Sequence, residues 1–193
     1  MRIFLIYLGA FVILSLYFIL TVFILPSEFL MTEQLVPKPI FEAVLSETDI
    51  FLGDSFRLDI VSQNIGDYAD IHIVSIGFPE LNQIDDVVKI ATYDFSLSPS
   101  YILVGDEIGS NYSGGVETVI AQYPSIEAMS RPLKSNVNTH FDIVVTPKKS
   151  GIFNVYVKSI GIPHIADISH YPYIGTLDHQ NEHVLVYSVT VNP

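Results

Sequence analysis

The stretch THFDIVVTPKKSGIFNVYVKSIG, residues 139–161, gives the clearest indication of how this chain folds. Apolar residues occupy every second position in both halves of it. They are Phe141, Ile143 and Val145, followed by Phe153, Val155 and Val157. Alternation with a period of two places one face of a strand in a core and the other in solvent. The KKSG between the halves is typical of a turn, so the stretch predicts two antiparallel strands.

The same pattern extends towards both ends of the chain. It predicts strands at 55–63, 69–78, 87–95, 139–147, 152–161 and 183–191, with shorter candidates at 101–104 and 116–123. NIGDY (64–68) reads as a turn in which Gly66 is free to adopt a positive φ. YPSIEAMSR (123–131) is compatible with one or two turns of helix. Many strands with little helical periodicity indicate an all-β fold, an immunoglobulin-like antiparallel β-sandwich over residues 40–193.

The amino-terminal residues differ from the rest. Residues 3–25 are apolar apart from Ser15, Thr21 and two tyrosines, and a membrane span needs about 20 such residues. A cleaved signal peptide has a shorter apolar core of about 7–15 residues and a small-residue cleavage site, which is not seen here. We therefore predict a transmembrane anchor at 1–26 and a linker at 27–39.

Charge around this segment predicts an orientation. Arg2 precedes it, whereas Glu28 and Glu33 follow it before the next basic residue. Because positive residues stay in the cytoplasm, we expect a single-pass protein of the cell membrane, with its amino terminus in the cytoplasm and its sandwich outside.

Charge also excludes one class of partner. The formal net charge is −12, and every acidic residue lies after residue 26. Nucleic-acid binding needs a basic face, so no nucleic-acid partner is expected. The chain has no cysteine, and a sandwich of this length can bury a core without disulfides.

Two segments resemble a known class of module. LGDSFRLDIVSQNIGDYADIHIV carries a GD before one strand and N-x-G-D after it, and TPKKSGIFNVYVKSIG carries P-x-x-x-G-x-[FY]-x-[VL]. The matching residues are Gly53, Asp54, Asn64, Gly66, Asp67, Pro147, Gly151 and Phe153. This pattern resembles immunoglobulin-like modules of the CARDB type, and the chain as a whole is similar to single-pass archaeal cell-surface proteins. The resemblance implies adhesion, assembly or ligand presentation, and it brings no catalytic residues.

The segment between the last two predicted strands, residues 162–182, is the candidate site. In a sandwich it is the connection where binding loops often lie. Tyr171 and Tyr173 flank Pro172, and tyrosine is enriched at protein interfaces. These three residues are the predicted partner-binding residues. Packing of the tyrosines onto their own sandwich is the alternative.

A metal site is the alternative use of this segment. Four of the six histidines fall in or beside it, namely His164, His170, His179 and His183. Without cysteine, copper or zinc would need a histidine or histidine–carboxylate set, with Asp167 or Asp178 as possible carboxylates. No known ligand spacing is matched, so solvated or hydrogen-bonded histidines and a pH-sensitive contact also stay open.

The remaining motifs add little chemistry. Asn111 opens an N-x-S glycosylation sequon, and no nucleophile motif or phosphate loop is present. The sequence therefore predicts a non-enzymatic module, anchored in the membrane, for protein–protein association. Such a module would be an accessory subunit or an adhesion or envelope component, with another membrane or envelope protein as partner. The alternative is binding or delivery of copper or zinc.

Overall fold

The computed structural model describes residues 2–21, 35–108, 119–131, 134–163 and 169–193. The chain forms two compact units, Met1–Gln34 and Leu35–Pro193. The predicted site residues His164, Asp167 and Asn111 lie outside the described residues.

In the described part of the first unit, residues 2–21, helix α1 spans Arg2–Ile19. Within the described ranges, no helix is both long and apolar enough to cross a membrane. The predicted transmembrane anchor at 1–26 is therefore wrong. The predicted single-pass localisation, with its cytoplasmic amino terminus, is wrong for the same reason, and the predicted membrane contact through this helix is not supported.

The second unit consists of strands. They are β1 (Pro39–Leu45), β2 (Asp49–Phe51), β3 (Phe56–Asn64), β4 (Ile71–Gly77), β5 (Val88–Tyr93), β6 (Ser100–Ile102), β7 (Glu107–Ile108), β8 (Val119–Ile120), β9 (Ser125–Ser130), β10 (Asn138–Val145), β11 (Gly151–Ile162), β12 (Thr176–Leu177) and β13 (His183–Asn192). Each of the six long strands predicted from alternation overlaps one of these strands, namely β3, β4, β5, β10, β11 and β13. The short candidates at 101–104 and 116–123 overlap β6 and β8.

Most of the described strands form two facing sheets, and β7 pairs with β8 in a separate two-stranded sheet. One of the facing sheets has the order β1-β3-β10-β5, and the other has the order β12-β13-β11-β4-β9-β6, with β2 pairing in parallel with β13. The order β1-β3-β10-β5 matches the ABED sheet of an immunoglobulin-like sandwich, and the order β13-β11-β4 in the other sheet matches its GFC sheet. The predicted all-β, immunoglobulin-like fold is confirmed.

The larger of two buried apolar clusters in the described residues lies between the sheets. It takes alternate residues from both, including Leu58, Ile60 and Phe141 from one sheet and Val155 and Val157 from the other, all fully buried. The alternation that predicted these strands therefore corresponds to real burial.

Strand β9 corrects the expected helical turns at 123–131. Ser125–Ser130 pairs with β4 over its whole length. Five of its six residues are buried, because the outer face of this sheet is also covered. A strand buried on both faces shows no alternation, and Glu127, Ala128 and Met129 are good helix formers. Helix propensity therefore gave the wrong secondary structure at residues 125–130.

Candidate binding surface on the β11–β13 connection

The candidate site lies on the β11–β13 connection, residues 163–182, of which residues 169–182 are described beyond Pro163. The neighbouring strands β11 and β13 are antiparallel. A backbone bridge between Gly161 and His170 closes the start of the described part, with both N···O distances 2.8 Å. The connection therefore leaves the sandwich at the position predicted from the sequence.

Two tyrosine rings of the connection lie beside a histidine ring at the start of β13. The ring centroids of Tyr171 and Tyr173 are 5.5 Å apart, and the ring of His183 lies 6.1 Å from the first and 5.5 Å from the second. We call these three residues the Tyr/His cluster. Tyr173 is 82% exposed, whereas Tyr171 and His183 are half-buried. The cluster therefore presents one aromatic ring to solvent while the other two support it.

Apolar side chains continue the exposed surface along the chain. Ile174 is 48% exposed and Leu177 is 55% exposed. Between them, Gly175 has φ +85°, and a Cβ there would lie 1.9 Å from the carbonyl oxygen of Val184. Glycine is required at this point because the chain turns in the left-handed region directly against β13.

The return part of the connection is held by a tight turn. The Asp178 carboxylate oxygen Oδ1 accepts hydrogen bonds from the backbone N–H groups of Gln180 (2.8 Å) and Glu182 (3.0 Å). The Asp178 N–H donates to the Glu182 carbonyl at 2.9 Å, and Asn181 takes φ 60°. Asparagine tolerates this left-handed conformation better than most residues, so local sequence favours the turn.

Lys158 of β11 fixes that turn to the sheet. Its Nζ donates to Asp178 Oδ2 at 3.0 Å, to Glu182 Oε2 at 2.5 Å and to Gln180 Oε1. The side chains of Lys158 and Asp178 are 8% and 0% exposed, and that of Glu182 is 19% exposed. We call these four residues the Lys158 clamp.

Electrostatics keep the clamp charged. Burial disfavours the ammonium, but Glu182 and Asp178 outweigh this effect, so the pKa of Lys158 is raised above its ordinary value. A buried ion pair of this kind is costly to break, because the remaining partner is left as an uncompensated charge. The clamp therefore holds the return part of the connection, residues 178–182, against β11.

A second set of side chains lies beside the clamp on the outer face of the sheet. Glu127 of β9 is 6% exposed. Burial raises its pKa and Glu182 adds to the rise, although Lys158 and a hydrogen bond with Ser75 oppose it. The ring of His179 packs 4.8 Å from that of Tyr123, and burial lowers the pKa of His179. His179 therefore packs on Tyr123, just before β9, rather than on the Tyr/His cluster.

The described histidines lie in separate environments. His170 is in the backbone bridge to Gly161, His179 packs on Tyr123, and His183 is in the Tyr/His cluster. Among the residues with described positions, no group of three or more histidines, aspartates or glutamates could hold a metal ion. Because His164 lies outside those residues, copper or zinc binding stays a prediction without an observation in its favour.

Sequence reasoning predicted a binding role for Tyr171 and Tyr173, which stays a prediction, and it missed the clamp. Lys158 was overlooked because it occupies an outward position of β11, where a lysine is ordinarily solvated. Its signal in the sequence is weak. It is a single charged residue in the otherwise apolar and polar run IFNVYVKSIGI, and its carboxylate partners follow 20 and 24 residues later.

Comparison with known proteins gives structural similarity only. No protein-family model and no curated protein matches the chain. Among solved structures, the CARDB domain of a Pyrococcus furiosus protein in complex with di-metal ions is 10% identical, with a TM-score of 0.36 over 84% of this chain and 98% of that one. The cohesin module of a Clostridium perfringens family 33 glycoside hydrolase is 11% identical, with a TM-score of 0.39 over 82% and 98%.

An enzyme is also among the similar structures. A β-glucosidase from Listeria innocua is 14% identical, with a TM-score of 0.36 over 80% of this chain, but this chain spans only 16% of that enzyme. The fold assignment rests on the strand order of the present chain, and these similarities carry no argument about activity, ligand or partner.

Proposed function

We propose that this chain is a non-enzymatic binding module, an accessory or adhesion component, that associates with another protein through the β11–β13 connection. One observation carries the proposal: Tyr173 is 82% exposed although its ring lies 5.5 Å from both Tyr171 and His183. A large side chain held by neighbours yet left in solvent has no role in the core. Tyrosine is among the residues that contribute most to protein–protein affinity.

The surroundings of the cluster support this reading. Ile174 and Leu177 are also exposed on the same segment, so the surface offers apolar area next to the phenolic groups. The Lys158 clamp fixes the return part of the connection. A surface that is ordered before binding loses less conformational entropy on association, which favours affinity.

Site-specific photo-crosslinking tests the surface in the cells that produce the protein. The full chain would carry a photoreactive phenylalanine analogue in place of Tyr173, and in a second version in place of Tyr101. Tyr101 is 51% exposed and lies on β6, at the far edge of the same sheet from β13, so it is a matched control. We expect a discrete cross-linked product from position 173 and none of the same size from position 101.

The partner identified in the cross-linked product would then be purified on its own, and its affinity for the unmodified chain would be measured. Replacing Tyr171 and Tyr173 together with alanine should weaken binding by about 30-fold or more, as expected when two interface tyrosines are lost. The control Tyr101→Ala removes a ring that is 51% exposed on β6 and should leave affinity unchanged. Equal affinities for all three chains, or unfolding of the double variant, would contradict the proposal.

A further inference from the structure

The outer edge of β13 has a gap in its hydrogen bonding. On one side β13 pairs with β11. On the other side, β12 pairs with β13 only as far as Val184, and the pairing of β2 with β13 begins only at Thr190. Five residues, 185–189, therefore form an open stretch of sheet edge between two short strands.

The register shows which backbone groups face this gap. The Thr190 N–H donates to the Thr48 carbonyl at 2.9 Å, and the Asn192 carbonyl accepts from the Leu52 N–H at 2.8 Å, both on the outer edge. Because backbone groups in a strand alternate in direction, Val186 and Ser188 present their N–H and C=O groups to the same edge. In the parts of the chain that are described, neither residue has a strand partner there.

The flanking strands decide what can enter the gap. Five residues of strand extend about 17 Å. A second copy of this chain cannot pair there through its own β13, because its β2 and β12 would occupy the same plane as the β2 and β12 of the first copy. A single extended segment of about five residues avoids that overlap, provided its ends turn away from the sheet.

Side chains along the gap indicate the chemistry of that segment. Val186 is 41% exposed on the outer face, and Leu177 is exposed at the β12 end. At the β2 end, Glu47 and Asp49 are exposed, and the chain carries a net charge of −12. These features fit a segment that is apolar in the middle and basic at one end.

We propose that the edge of β13 at residues 185–189 accepts an extended segment of a partner protein as an added strand. This mode supplies affinity through main-chain hydrogen bonds. The inference rests on the proposed function, because it places the partner along β13 from the Tyr/His cluster at its start towards β2 at its end.

Hydrogen exchange in the free full-length chain tests the open edge directly. The amides of Val186 and Ser188 should exchange fast, and those of Tyr187 and Val189, which face β11, should exchange slowly. Equally slow exchange at all four amides would show that the edge is already covered and would overturn the proposal.

Binding is tested with a displayed library of random seven-residue peptides, selected on the full chain. The selected peptides should be apolar with a basic end, and they should slow exchange at Val186 and Ser188. Val186→Pro removes the edge donor without removing a ladder hydrogen bond, and it should weaken peptide binding at least about tenfold. The control Val186→Thr keeps the N–H group and should bind as the unmodified chain does.

Peptides with N-methylated backbone amides at alternate positions give a second readout that needs no change in the protein. One series is methylated at the odd-numbered amides and the other at the even-numbered amides. Only one of the two series should lose binding, because only one set of peptide amides faces β13. Peptides that bind Val186→Pro and the N-methylated series equally well would overturn the added strand. The tyrosine variants and the cross-linked partner test the proposed function separately, so either proposal can fail while the other stands.

Discussion

His72 lies between the two sheets, fully buried in β4. Its Nε2 is 3.1 Å from the Ser62 Oγ and 3.0 Å from the Ser159 Oγ, and its ring stacks on Phe95 with centroids 6.2 Å apart. No hydrogen-bond partner of its Nδ1 is found among the described residues. The two serines provide hydrogen-bond partners for the Nε2 of a neutral ring, whereas a protonated ring would carry a buried charge without a counter-ion among the described residues. Burial accordingly lowers the pKa of His72 to about 4.

This histidine should make stability depend on pH. In the unfolded chain its pKa is about 6.5, so between about pH 6.5 and pH 4 the unfolded state binds more protons than the folded state. The free energy of unfolding therefore falls as pH falls through that range. We expect His72 to account for a loss of about 2 kcal/mol between pH 7 and about pH 4.5, measured by urea denaturation.

The variant His72→Gln separates this effect from the titration of carboxylates. Glutamine cannot take up the proton, so the difference in unfolding free energy between the two pH values should shrink by about 2 kcal/mol. An unchanged pH dependence would show that His72 does not titrate as its burial implies.

Lys158 should stabilise the fold through its two carboxylate partners. The change Lys158→Met leaves Asp178 fully buried and Glu182 mostly buried without a counter-charge, which should cost about 3 kcal/mol at neutral pH. Lys149→Met is the matched control, because Lys149 is exposed in the turn before β11 and should change stability by less than about 0.5 kcal/mol. Equal unfolding midpoints for the two variants would mean that the clamp adds no stability.

At the scale of elements, alternation predicted strands well where one face is buried and one is wet. In β3 the residues Phe56, Leu58 and Ile60 are buried while Arg57 and Asp59 are exposed. The same rule gave β10 and β11. It failed at β9, where burial on both faces removed the alternation.

Turn chemistry was predicted for the wrong reason at Gly66. Its φ is not positive; instead, a Cβ at Gly66 would lie 2.5 Å from the Lys38 N and the Val36 O. Glycine is needed there because residues 36–38 pass directly over the turn. Such a contact between distant segments cannot be deduced from a five-residue motif, and the Lys158 clamp escaped prediction for the same reason.

The turn at Gly175 should be sensitive to substitution in a way that another left-handed glycine is not. Gly175→Ala must strain φ +85° and must also move the Val184 carbonyl, so we expect a loss of about 2 kcal/mol or more. Gly105→Ala has a similar φ of +94° but no atom within 4 Å of the new Cβ, and should cost about 1 kcal/mol.

Thermal unfolding of the two glycine variants would measure this difference. Hydrogen exchange at the Val184 amide would show where the stability is lost, since the β12–β13 pairing should open only in Gly175→Ala. If both variants lose the same stability, then the close approach of Gly175 to β13 has no energetic consequence.

At the scale of the whole molecule, the sandwich begins before its first strand. Leu35 is 8% exposed, and residues 36–38 make four hydrogen bonds to the turn after β3. The N–H groups of Val36 and Lys38 donate to the side chains of Asp67 (3.0 Å) and Asn64 (2.9 Å), and their carbonyls accept from the N–H groups of Asp67 (3.1 Å) and Ile65 (3.0 Å). The end of the segment that we predicted to be a linker, residues 27–39, is thus part of the sandwich.

Two fragments would show how much this entry segment contributes. A fragment of residues 35–193 contains the whole buried core and should unfold cooperatively, at a temperature close to that of the sandwich in the full chain. A fragment of residues 40–193 lacks the four hydrogen bonds and the burial of Leu35, which together are worth about 3 kcal/mol or more. Its midpoint should therefore be lower by on the order of 10 °C, followed by circular dichroism.

The variant Asn64→Ala is the control for the comparison of the two fragments. In the full chain and in fragment 35–193, Asn64→Ala removes the acceptor for the Lys38 N–H and should destabilise both, whereas in fragment 40–193 that donor is already absent and the same change should cost less. Midpoints that are equal for the two fragments, or an equal cost of Asn64→Ala in all three chains, would show that residues 35–39 act only as a linker. The predicted boundary at residue 40 would then stand.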